Sequence, residues 1–497
     1  MVSRFRPLRV APCVLVLALA AGGADWDRFR GPNGTGVEET SGLPAEFGPS
    51  RNVVWKTPLP PGHSSPILSG DRIFLTAVED ERLWTISLAR ATGEILWRRE
   101  CPRPRRESLD KRNHPASPTP AADGRHVYVF FPDFGLVSYD FAGKERWRAP
   151  LGPFRNLYGM GASPVLAGDS VVQICDQSTD SFAIAYGRDD GLVRWRTPRP
   201  EAVSGHSTPV LYRPADGSIQ VLAPGSFRLD AYSAATGESL WWVRGLASEM
   251  KSVPVLDRDT IYVNGYNTPD NDPGRLIAVA PFAEVLQNHD ADGNGRLVRQ
   301  EMPDARTRSF FEYIDLDRSG AVDEAEWKKF AAAMAAENGL LAIRAGGQGD
   351  TTSSAVRWKY QRSVPQLPST LLYQGVLYMI NDGGVLTTLD PAAGMAHKQA
   401  RLGGVADRYF ASPVAGDGKV YFLSHTGVAT VLAAGGEQRV LAANQLDEEC
   451  FATPALAGGR IYLRTRGALY CFGRTRGSPS GPPNFGYTTK TPRYRRN

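Results

Sequence analysis

This sequence of 497 residues contains few cysteines, few long hydrophobic stretches and only a small net charge. The five cysteines include no adjacent pair and no zinc-binding spacing, which argues against a zinc site. Beyond the apolar run from Val10 to Ala21, no stretch of 18 residues is apolar, so we expect no transmembrane segment in the mature chain. The formal net charge is +5, but basic residues at the two ends account for more than this surplus. The part between the ends is slightly acidic, so we expect no nucleic-acid partner.

The first 24 residues have the pattern of a secretory signal peptide. Arg4, Arg6 and Arg9 precede the apolar run, and small residues at 22–24 follow it. We therefore expect a cleaved signal peptide over 1–24 and a periplasmic or secreted mature protein, with an uncleaved anchor as the alternative. The final segment, 474–497, is basic and rich in Gly, Pro and Ser, so we predict that it is disordered. A contact with a surface or a partner is the other interpretation of this tail.

Export to an oxidising compartment would permit disulfide bonds. Four cysteines follow the predicted signal peptide, namely Cys101, Cys175, Cys450 and Cys471. Proximity in the sequence alone favours a bond between Cys450 and Cys471.

Glycine and tryptophan, by contrast, are abundant, with 51 and 10 residues, and they form a repeat. A Gly followed four residues later by Trp recurs at Gly93…Trp97, Gly143…Trp147, Gly191…Trp195 and Gly237…Trp241. Short β-rich runs such as Arg72-Ile73-Phe74-Leu75 precede each copy, and they are typical of strands. We infer that the Trp ending one unit covers the edge between neighbouring units.

Each repeat unit opens with a small residue followed by Pro. These steps define eight units, at Ser65-Pro66, Ser117-Pro118, Ser163-Pro164, Thr208-Pro209, Val253-Pro254, a degenerate Ser369-Thr370, Ser412-Pro413 and Thr453-Pro454. Four short strands fit into each unit, which predicts an all-β fold, an eight-bladed β-propeller. The last unit lacks a fourth strand, whereas the strand at 52–55 precedes the first unit without partners of its own. We therefore predict that the strand around Trp55 completes the eighth blade and closes the ring.

The copies at Ala91-Thr92-Gly93…Trp97 and Ala235-Thr236-Gly237…Trp241 resemble the pyrroloquinoline-quinone (PQQ) repeat. The opening Trp26…Phe29-Arg30-Gly31-Pro32-Asn33-Gly34…Gly36 is similar to that of secreted bacterial PQQ-binding-like propeller proteins. The resemblance covers about 26–473 apart from one insertion. It implies the eight-bladed propeller of quinoprotein alcohol dehydrogenases and of the lipoprotein of the outer-membrane barrel assembly machinery. Such a repeat is strong evidence for the fold and weak evidence for the chemistry.

An insertion over 282–338 divides the propeller into parts 25–281 and 339–473. It contains two twelve-residue loops that match the EF-hand calcium loop, with oxygen ligands at positions 1, 3 and 5, Gly at 6 and Glu at 12. The predicted calcium ligands are Asp290, Asp292, Asn294, Arg296 (through its carbonyl) and Glu301, then Asp315, Asp317, Ser319, Ala321 (through its carbonyl), Asp323 and Glu326. Flanking apolar residues predict short helices. We expect a small α-helical EF-hand pair at the periphery of the propeller, holding structural calcium, with a sensor role as the alternative.

The fifth blade is left with two candidates for its third strand, 275–279 and 339–344.

Residues three or four places before each Pro step should surround one mouth of the central channel. This rule selects His63, His114, His206, Lys251, Gln366 and Tyr409. Such a polar ring suits an anionic ligand or a peptide. The alternative is that these are turn residues that came with the repeat.

The resemblance to quinoprotein dehydrogenases would imply PQQ as a cofactor. Those enzymes carry an adjacent Cys-Cys pair over the quinone and calcium ligands in the propeller itself, and this sequence has neither. We therefore expect calcium but not PQQ, and no catalytic residues can be assigned. The sequence favours an exported, calcium-binding, non-catalytic scaffold for protein or cell-envelope components. A PQQ-dependent dehydrogenase is the alternative, and another small-ligand or enzymatic role is the third reading.

Overall fold

Eight antiparallel sheets are arranged as the blades of a ring in the computed structural model, which describes residues 25–404 and 406–474. The predicted signal peptide, 1–24, and the predicted disordered tail beyond residue 474 lie outside the described residues. The prediction of an all-β, eight-bladed propeller is confirmed.

The strands follow the chain from blade to blade. The first half comprises β1 (Val53–Pro58), then β2 (Ile67–Ser69), β3 (Arg72–Glu79), β4 (Arg82–Ala89) and β5 (Ile95–Cys101) of blade 1, β6 (Ala121–Ala122), β7 (His126–Phe131), β8 (Gly135–Asp140) and β9 (Glu145–Pro150) of blade 2, β10 (Val165–Ala167), β11 (Ser170–Cys175), β12 (Phe182–Gly187) and β13 (Val193–Pro198) of blade 3, and β14 (Val210–Tyr212), β15 (Gln220–Pro224), β16 (Arg228–Ser233) and β17 (Ser239–Arg244) of blade 4. The second half comprises β18 (Val255–Asp257), β19 (Thr260–Gly265), β22 (Gly339–Arg344) and β24 (Val356–Tyr360) of blade 5, β25 (Leu371–Tyr373), β26 (Val376–Ile380), β27 (Val385–Leu389) and β28 (Ala396–Arg401) of blade 6, β29 (Val414–Gly416), β30 (Lys419–Leu423), β31 (Val428–Ala433) and β32 (Val440–Gln445) of blade 7, and β33 (Ala455–Ala457), β34 (Arg460–Arg464) and β35 (Ala468–Gly473) of blade 8. A short strand β23 (Gly349–Asp350) pairs with the edge of blade 4 in parallel.

The small residue of the opening step is a hydroxyl residue in seven blades for a structural reason. In blade 2 the prediction of Ser117-Pro118 is wrong, since the inner strand β6 follows Thr119-Pro120. The hydroxyl residue lies just before the inner strand, and a backbone N–H at this level donates to a hydroxyl of the next blade, as from Ser163 to Thr208 Oγ1 at 2.9 Å. Equivalent bonds join seven of the eight blade junctions, at distances of 2.9 to 3.0 Å. The exception is the junction of blades 4 and 5, because Val253 has no hydroxyl to accept. Instead, Ser207 Oγ donates to the Ser252 carbonyl at 2.6 Å.

The Gly and Trp residues of the repeat meet between neighbouring blades. Trp97 of blade 1 lies against Gly143 of blade 2, and its Nε1 donates to the Phe141 carbonyl at 2.9 Å. The same contact joins Trp55 to Gly93, Trp147 to Gly191, Trp195 to Gly237 and Trp358 to Gly394. A side chain on any of these glycines would overlap the indole. The inferred role of Trp in covering the blade edge is therefore confirmed.

Strand β1 closes the ring as its outermost strand in blade 8. It pairs antiparallel with β35, with Val53 opposite Phe472 and Pro58 opposite Ala468. Trp55 lies opposite Cys471, with a bulge between Val53 and Trp55. The predicted closure around Trp55 is confirmed.

The segment before β1 crosses one face of the ring, here called the lower face, and contacts the opening steps of two blades. Backbone groups of Trp26 and Asp27 accept hydrogen bonds from Leu68 and Ala122, in blades 1 and 2. Arg28 and Arg30 are buried and donate to the carbonyls of Pro209 and Thr370, in blades 4 and 6, at 2.5 and 3.0 Å.

The same segment continues to blade 7, where the Ala415 N–H donates to the Gly36 carbonyl at 2.8 Å. Gly31, with φ +66°, faces the Trp26 ring so closely that a Cβ there would lie 2.5 Å from it. The motif that carried the resemblance at 26–36 thus closes the lower end of the channel.

The insertion lies between the second and third strands of blade 5. The third strand is β22, which settles the alternatives left by the sequence, since residues 275–279 form no strand. The inserted elements are α1 (Phe282–His289), β20 (Leu297–Val298), α2 (Ala305–Ser309), α3 (Phe311–Ile314), β21 (Ala321–Val322) and α4 (Glu324–Ala335), and α5 (Thr352–Ala355) follows β23. The first four helices enclose a separate small core around Phe282, Ile314 and Trp327.

The predicted disulfide between Cys450 and Cys471 is wrong, since all four cysteines of the described region are buried free thiols. Cys450 precedes the inner strand of blade 8, whereas Cys471 lies within its third strand, so nearness in sequence does not bring the sulfurs together. Within residues 25–404 and 406–474, no helix has the length and apolar character needed to cross a membrane.

Candidate ligand cavity and acidic loops

The central channel of the ring is a cavity of about 1060 Å³, including the part open to solvent. Phe29, from the segment that crosses the lower face, forms part of its lining. Its wall is built by one position of the repeat, the third residue before the Pro step. All eight blades contribute this residue, as His63, Ser117, Gly161, His206, Lys251, Leu367, Phe410 and Phe451.

Four of the six residues predicted to surround the mouth line this cavity, namely His63, His206, Lys251 and Gln366. His114 lines an adjoining pocket instead. Tyr409 is buried in the core between blades 6 and 7, and its neighbour Phe410 faces the cavity.

The sequence reasoning missed Phe410, Phe451, Arg112 and Tyr158, which also line the cavity. Taking only the third position before the Pro step would have found the two phenylalanines.

An aromatic wall covers the side of the cavity formed by blades 7, 8 and 1. The rings of Phe410 and Phe451 are parallel within 5°, with centroids 5.5 Å apart. His63 stacks on Phe451 at 3.9 Å, and His425 meets the same ring edge-on at 4.7 Å. This wall presents flat, partly buried faces to a ligand, and these are suited to apolar or aromatic groups.

The cations of the cavity are already paired with carboxylates. Lys251 Nζ lies 3.0 Å from Glu249 Oε2, and Arg112 Nε donates to Asp110 Oδ1 at 2.7 Å. The hydrogen bond from Arg112 lowers the pKa of the Asp110 carboxyl. The cavity therefore offers little free positive charge, and of the two ligand classes suggested by the sequence its wall favours a peptide over a simple anion.

The histidines at the mouth are uncharged at neutral pH. Burial, with the positive charge of neighbouring groups, lowers the pKa of His63 to about 3, that of His114 to about 4 and that of His206 to about 3. Nε2 of His206 is buried without a hydrogen-bond partner among the described residues. These imidazoles can donate or accept hydrogen bonds as neutral groups.

The first acidic loop of the insertion brings Asp290, Asp292 and Glu301 together, with carboxylate oxygens within 4.8 Å of one another. Gly295 has φ +76°, and its N–H donates to Asp290 Oδ2 at 2.9 Å. The Glu301 carboxylate accepts from the N–H groups of Ala291 and Val298, each at 3.0 Å. The backbone of this loop therefore wraps around the carboxylates of Asp290 and Glu301.

The second loop repeats these contacts position by position. Asp315, Asp317 and Glu326 form its cluster, and the Gly320 N–H donates to Asp315 Oδ2 at 2.9 Å. Glu326 accepts from Leu316 at 2.8 Å and Asp323 at 3.0 Å.

The two acidic loops are joined by the ladder β20–β21, in which Leu297 pairs with Val322. Asn294, Arg296, Ser319 and Ala321 occupy the predicted places in the loops.

The insertion does not stay at the periphery, contrary to our expectation. Arg155, in the loop between blades 2 and 3, donates from Nη1 to the Asp317 carbonyl at 3.1 Å. Tyr313 of α3 lies 6.3 Å, between ring centroids, from Tyr158, which lines the central cavity. The helix before the second acidic loop therefore contacts a residue that lines the cavity.

The sequence profile of the family described as "Outer membrane protein assembly factor BamB" matches residues 48–209, 179–281 and 325–480. It leaves unmatched most of the insertion. No curated protein sequence matches the chain.

Solved structures of similar fold include BamB from Moraxella catarrhalis, at 12% identity and a TM-score of 0.53, covering 85% of this chain and 99% of that one. A europium-containing methanol dehydrogenase matches at 9% identity and a TM-score of 0.56, covering 91% and 98% of the two chains. A quinohemoprotein alcohol dehydrogenase from Comamonas testosteroni matches at 12% and 0.57, covering 94% and 84%. At such low identity these likenesses concern the fold alone.

Proposed function

Because the chain belongs to the family described as outer membrane protein assembly factor BamB, we propose that it is an exported, non-catalytic scaffold whose central cavity holds a segment of a partner protein of the cell envelope. The signal-like pattern of residues 1–24 and the outer-membrane setting in the family's description support an envelope location.

The central cavity is the observation that carries this proposal. It combines the aromatic wall of Phe410 and Phe451 with hydroxyl groups such as Ser65 and Thr453. A peptide segment matches this lining, since its side chains can stack on the rings while its backbone meets the hydroxyls. Aromatic residues in partly buried pockets are also the usual anchors of protein interfaces.

Photocrosslinking tests the cavity directly. With p-benzoylphenylalanine in place of Phe410, irradiation of the envelope should give an adduct of one discrete mass. Adding Phe451→Ala should lower the adduct yield about tenfold or more, because it removes the stacking partner of the wall. The yield is measured on immunoblots of the tagged protein.

The same photoreactive residue at Met395 is the matched control. This residue is 70% exposed, directly precedes the outer strand of blade 6 and does not line the cavity. No adduct at position 410, or the same adducts from both positions, would contradict the proposal.

We further propose that the insertion is an EF-hand pair that binds calcium in both loops as a structural brace. Asp290, Asp292, Glu301 and their counterparts in the second loop supply the carboxylates, and Arg296 and Ala321 would add carbonyls. Convergence of three carboxylates in each loop supports this reading, since hard oxygen ligands suit calcium.

Calcium removal tests the brace. Extracellular modules of this kind bind at roughly 10⁻⁴–10⁻³ M, so millimolar calcium should stabilise the wild type by about 1 kcal/mol. The double change Glu301→Gln and Glu326→Gln should abolish the difference between melting in calcium and melting in chelator. Glu324→Gln, an exposed acid of the same insertion, should leave it intact. If chelator leaves wild-type melting unchanged, the calcium proposal fails.

A PQQ-dependent dehydrogenase remains the weaker alternative. The aromatic wall could face a planar cofactor, but Lys251 and Arg112 are each held by a carboxylate. Among the described residues, the clusters suited to a metal lie in the insertion rather than on the channel axis. These observations favour the scaffold, and our expectation that PQQ is not bound stays a prediction.

A further inference from the structure

A second pocket lies beside the aromatic wall, between blades 8 and 1. It has a volume of about 770 Å³, including the part open to solvent, and it shares His63 and Phe451 with the central cavity. Its other lining residues include Lys111, His114 and Arg464. We refer to it as the Arg464 pocket.

Arg464 is buried, with 1% of its surface exposed. Its Nη1 donates to the carbonyls of Thr76 at 2.8 Å and Ser64 at 3.1 Å, and its Nη2 donates to that of Pro60 at 3.1 Å. Nε is buried and has no acceptor in the part of the chain that the structure describes. Burial lowers the pKa of this guanidinium to about 9. A buried positive charge of this kind is stable only with good compensation.

Of the other buried arginines in the described region, Arg28 and Arg30 have no carboxylate within 4.0 Å, whereas Arg199 does. Arg199 lies with Asp176 near the second Gly-His turn, Gly205-His206, which nearly repeats Gly62-His63. Its Nε and Nη2 donate to the two oxygens of Asp176, at 2.7 and 3.1 Å. Burial opposes the charged form, but the neighbouring carboxylates raise the pKa of Arg199 well above its ordinary value. Arg464 has no carboxylate within 4.0 Å among the described residues.

The rim of the pocket adds positive charge. Lys111 is exposed there, and Arg466 lies 3.3 Å from Glu449, which also approaches His425 at 3.6 Å. Glu449 is thus shared between the Arg466 guanidinium and the His425 imidazole. Lys111 and Arg464 together leave the pocket with an excess of positive charge.

We propose that the Arg464 pocket binds an oxyanion, a carboxylate or a phosphate group, held by the positive charge of Lys111, Arg464 and Arg466 in its lining. Lys111 adds charge at the entrance, and the neutral imidazoles of His63 and His114 line the site. This site goes beyond the proposed function, since it does not depend on what the central cavity holds.

Titration with sodium acetate and, separately, with sodium phosphate tests the site. Ionic strength is held constant with sodium chloride. One or both anions should raise the melting temperature saturably and shift the NMR signals of the His63 and His114 imidazoles with the same midpoint. The anion that acts identifies the class of ligand.

Arg464→Gln should abolish both responses, and Lys111→Gln, an exposed change that should not disturb folding, should weaken the affinity several-fold. Lys144→Gln, an exposed change in a turn of blade 2 that lines neither pocket, is the matched control and should leave the midpoint unchanged. The proposal is overturned if neither anion shifts the two imidazoles beyond the chloride control, or if the response survives in Lys111→Gln and Arg464→Gln at full strength. Neither result bears on crosslinking at position 410.

Discussion

A single position of the repeat determines much of the chemistry of the cavity. The third residue before the Pro step is His in blades 1 and 4, Lys in blade 5 and Phe in blades 7 and 8. Because the hydroxyl ring beneath fixes the backbone, these side chains can change without altering the fold. Function is thus carried by a few residues on a scaffold that many proteins share.

The neutral histidines at the mouth make stability depend on pH. Their folded pKa values lie below the value of about 6.5 expected in the unfolded chain, so the unfolded state binds more protons below neutrality. The free energy of unfolding should therefore fall as the pH drops from 7 toward 4. His206→Gln should reduce the loss between pH 7 and pH 5 by on the order of 1–2 kcal/mol, as measured by urea unfolding.

The same substitution at His397, exposed on the outer strand of blade 6, serves as the control and should keep the wild-type pH dependence. An unchanged pH slope in His206→Gln would show that this imidazole titrates alike in the folded and unfolded chains.

Between elements, the contact of Trp with Gly orients each blade against the next. Gly143 has φ +83° and would place a Cβ 2.8 Å from Trp97, while Gly124, in the same blade, has φ +86° and no atom within 4 Å of its Cβ position. Both alanine variants carry the cost of a positive φ, about 1–2 kcal/mol. Gly143→Ala should lose roughly 1–3 kcal/mol more, because the indole must move.

Denaturant unfolding of the two variants measures this difference. Equal losses for Gly143→Ala and Gly124→Ala would mean that the Trp contact adds nothing to stability beyond the turn itself.

The elements of the ring could be predicted because their signals are local. Ser65-Pro66 and its counterparts mark the inner strands, and the unpaired strand at Trp55 matches the strand missing from blade 8. The residues that face the cavity were harder to predict. Tyr409 and Phe410 are adjacent in the sequence, and only the direction of the backbone decides which side chain points inward. Choosing the fourth position before the Pro step selected the buried residue.

At the scale of the whole molecule, the sequence indicates which parts exist but not where distant parts meet. The path of residues 26–36 across the lower face depends on contacts such as that of Arg30 with Thr370. No local sequence pattern predicts such a contact. The docking of the acidic loops near Tyr158 depends likewise on contacts between separate blades. The pairing of Cys450 with Cys471 was wrong because distance along the chain is a poor guide once the chain is wound into blades.

The closure of blade 8 places the two ends of the ring next to each other, with the Gly473 N–H donating to the Asn52 carbonyl at 2.9 Å. The first and last strands therefore meet within one blade of a closed ring. A circular permutant with its ends in another blade would keep the same contacts between blades. In the natural order, β1 is made before its partner β35, which lies roughly 400 residues later, so their pairing costs loop-closure entropy and blade 8 keeps an open edge until β35 is made. The ring can therefore close only after β35 has emerged.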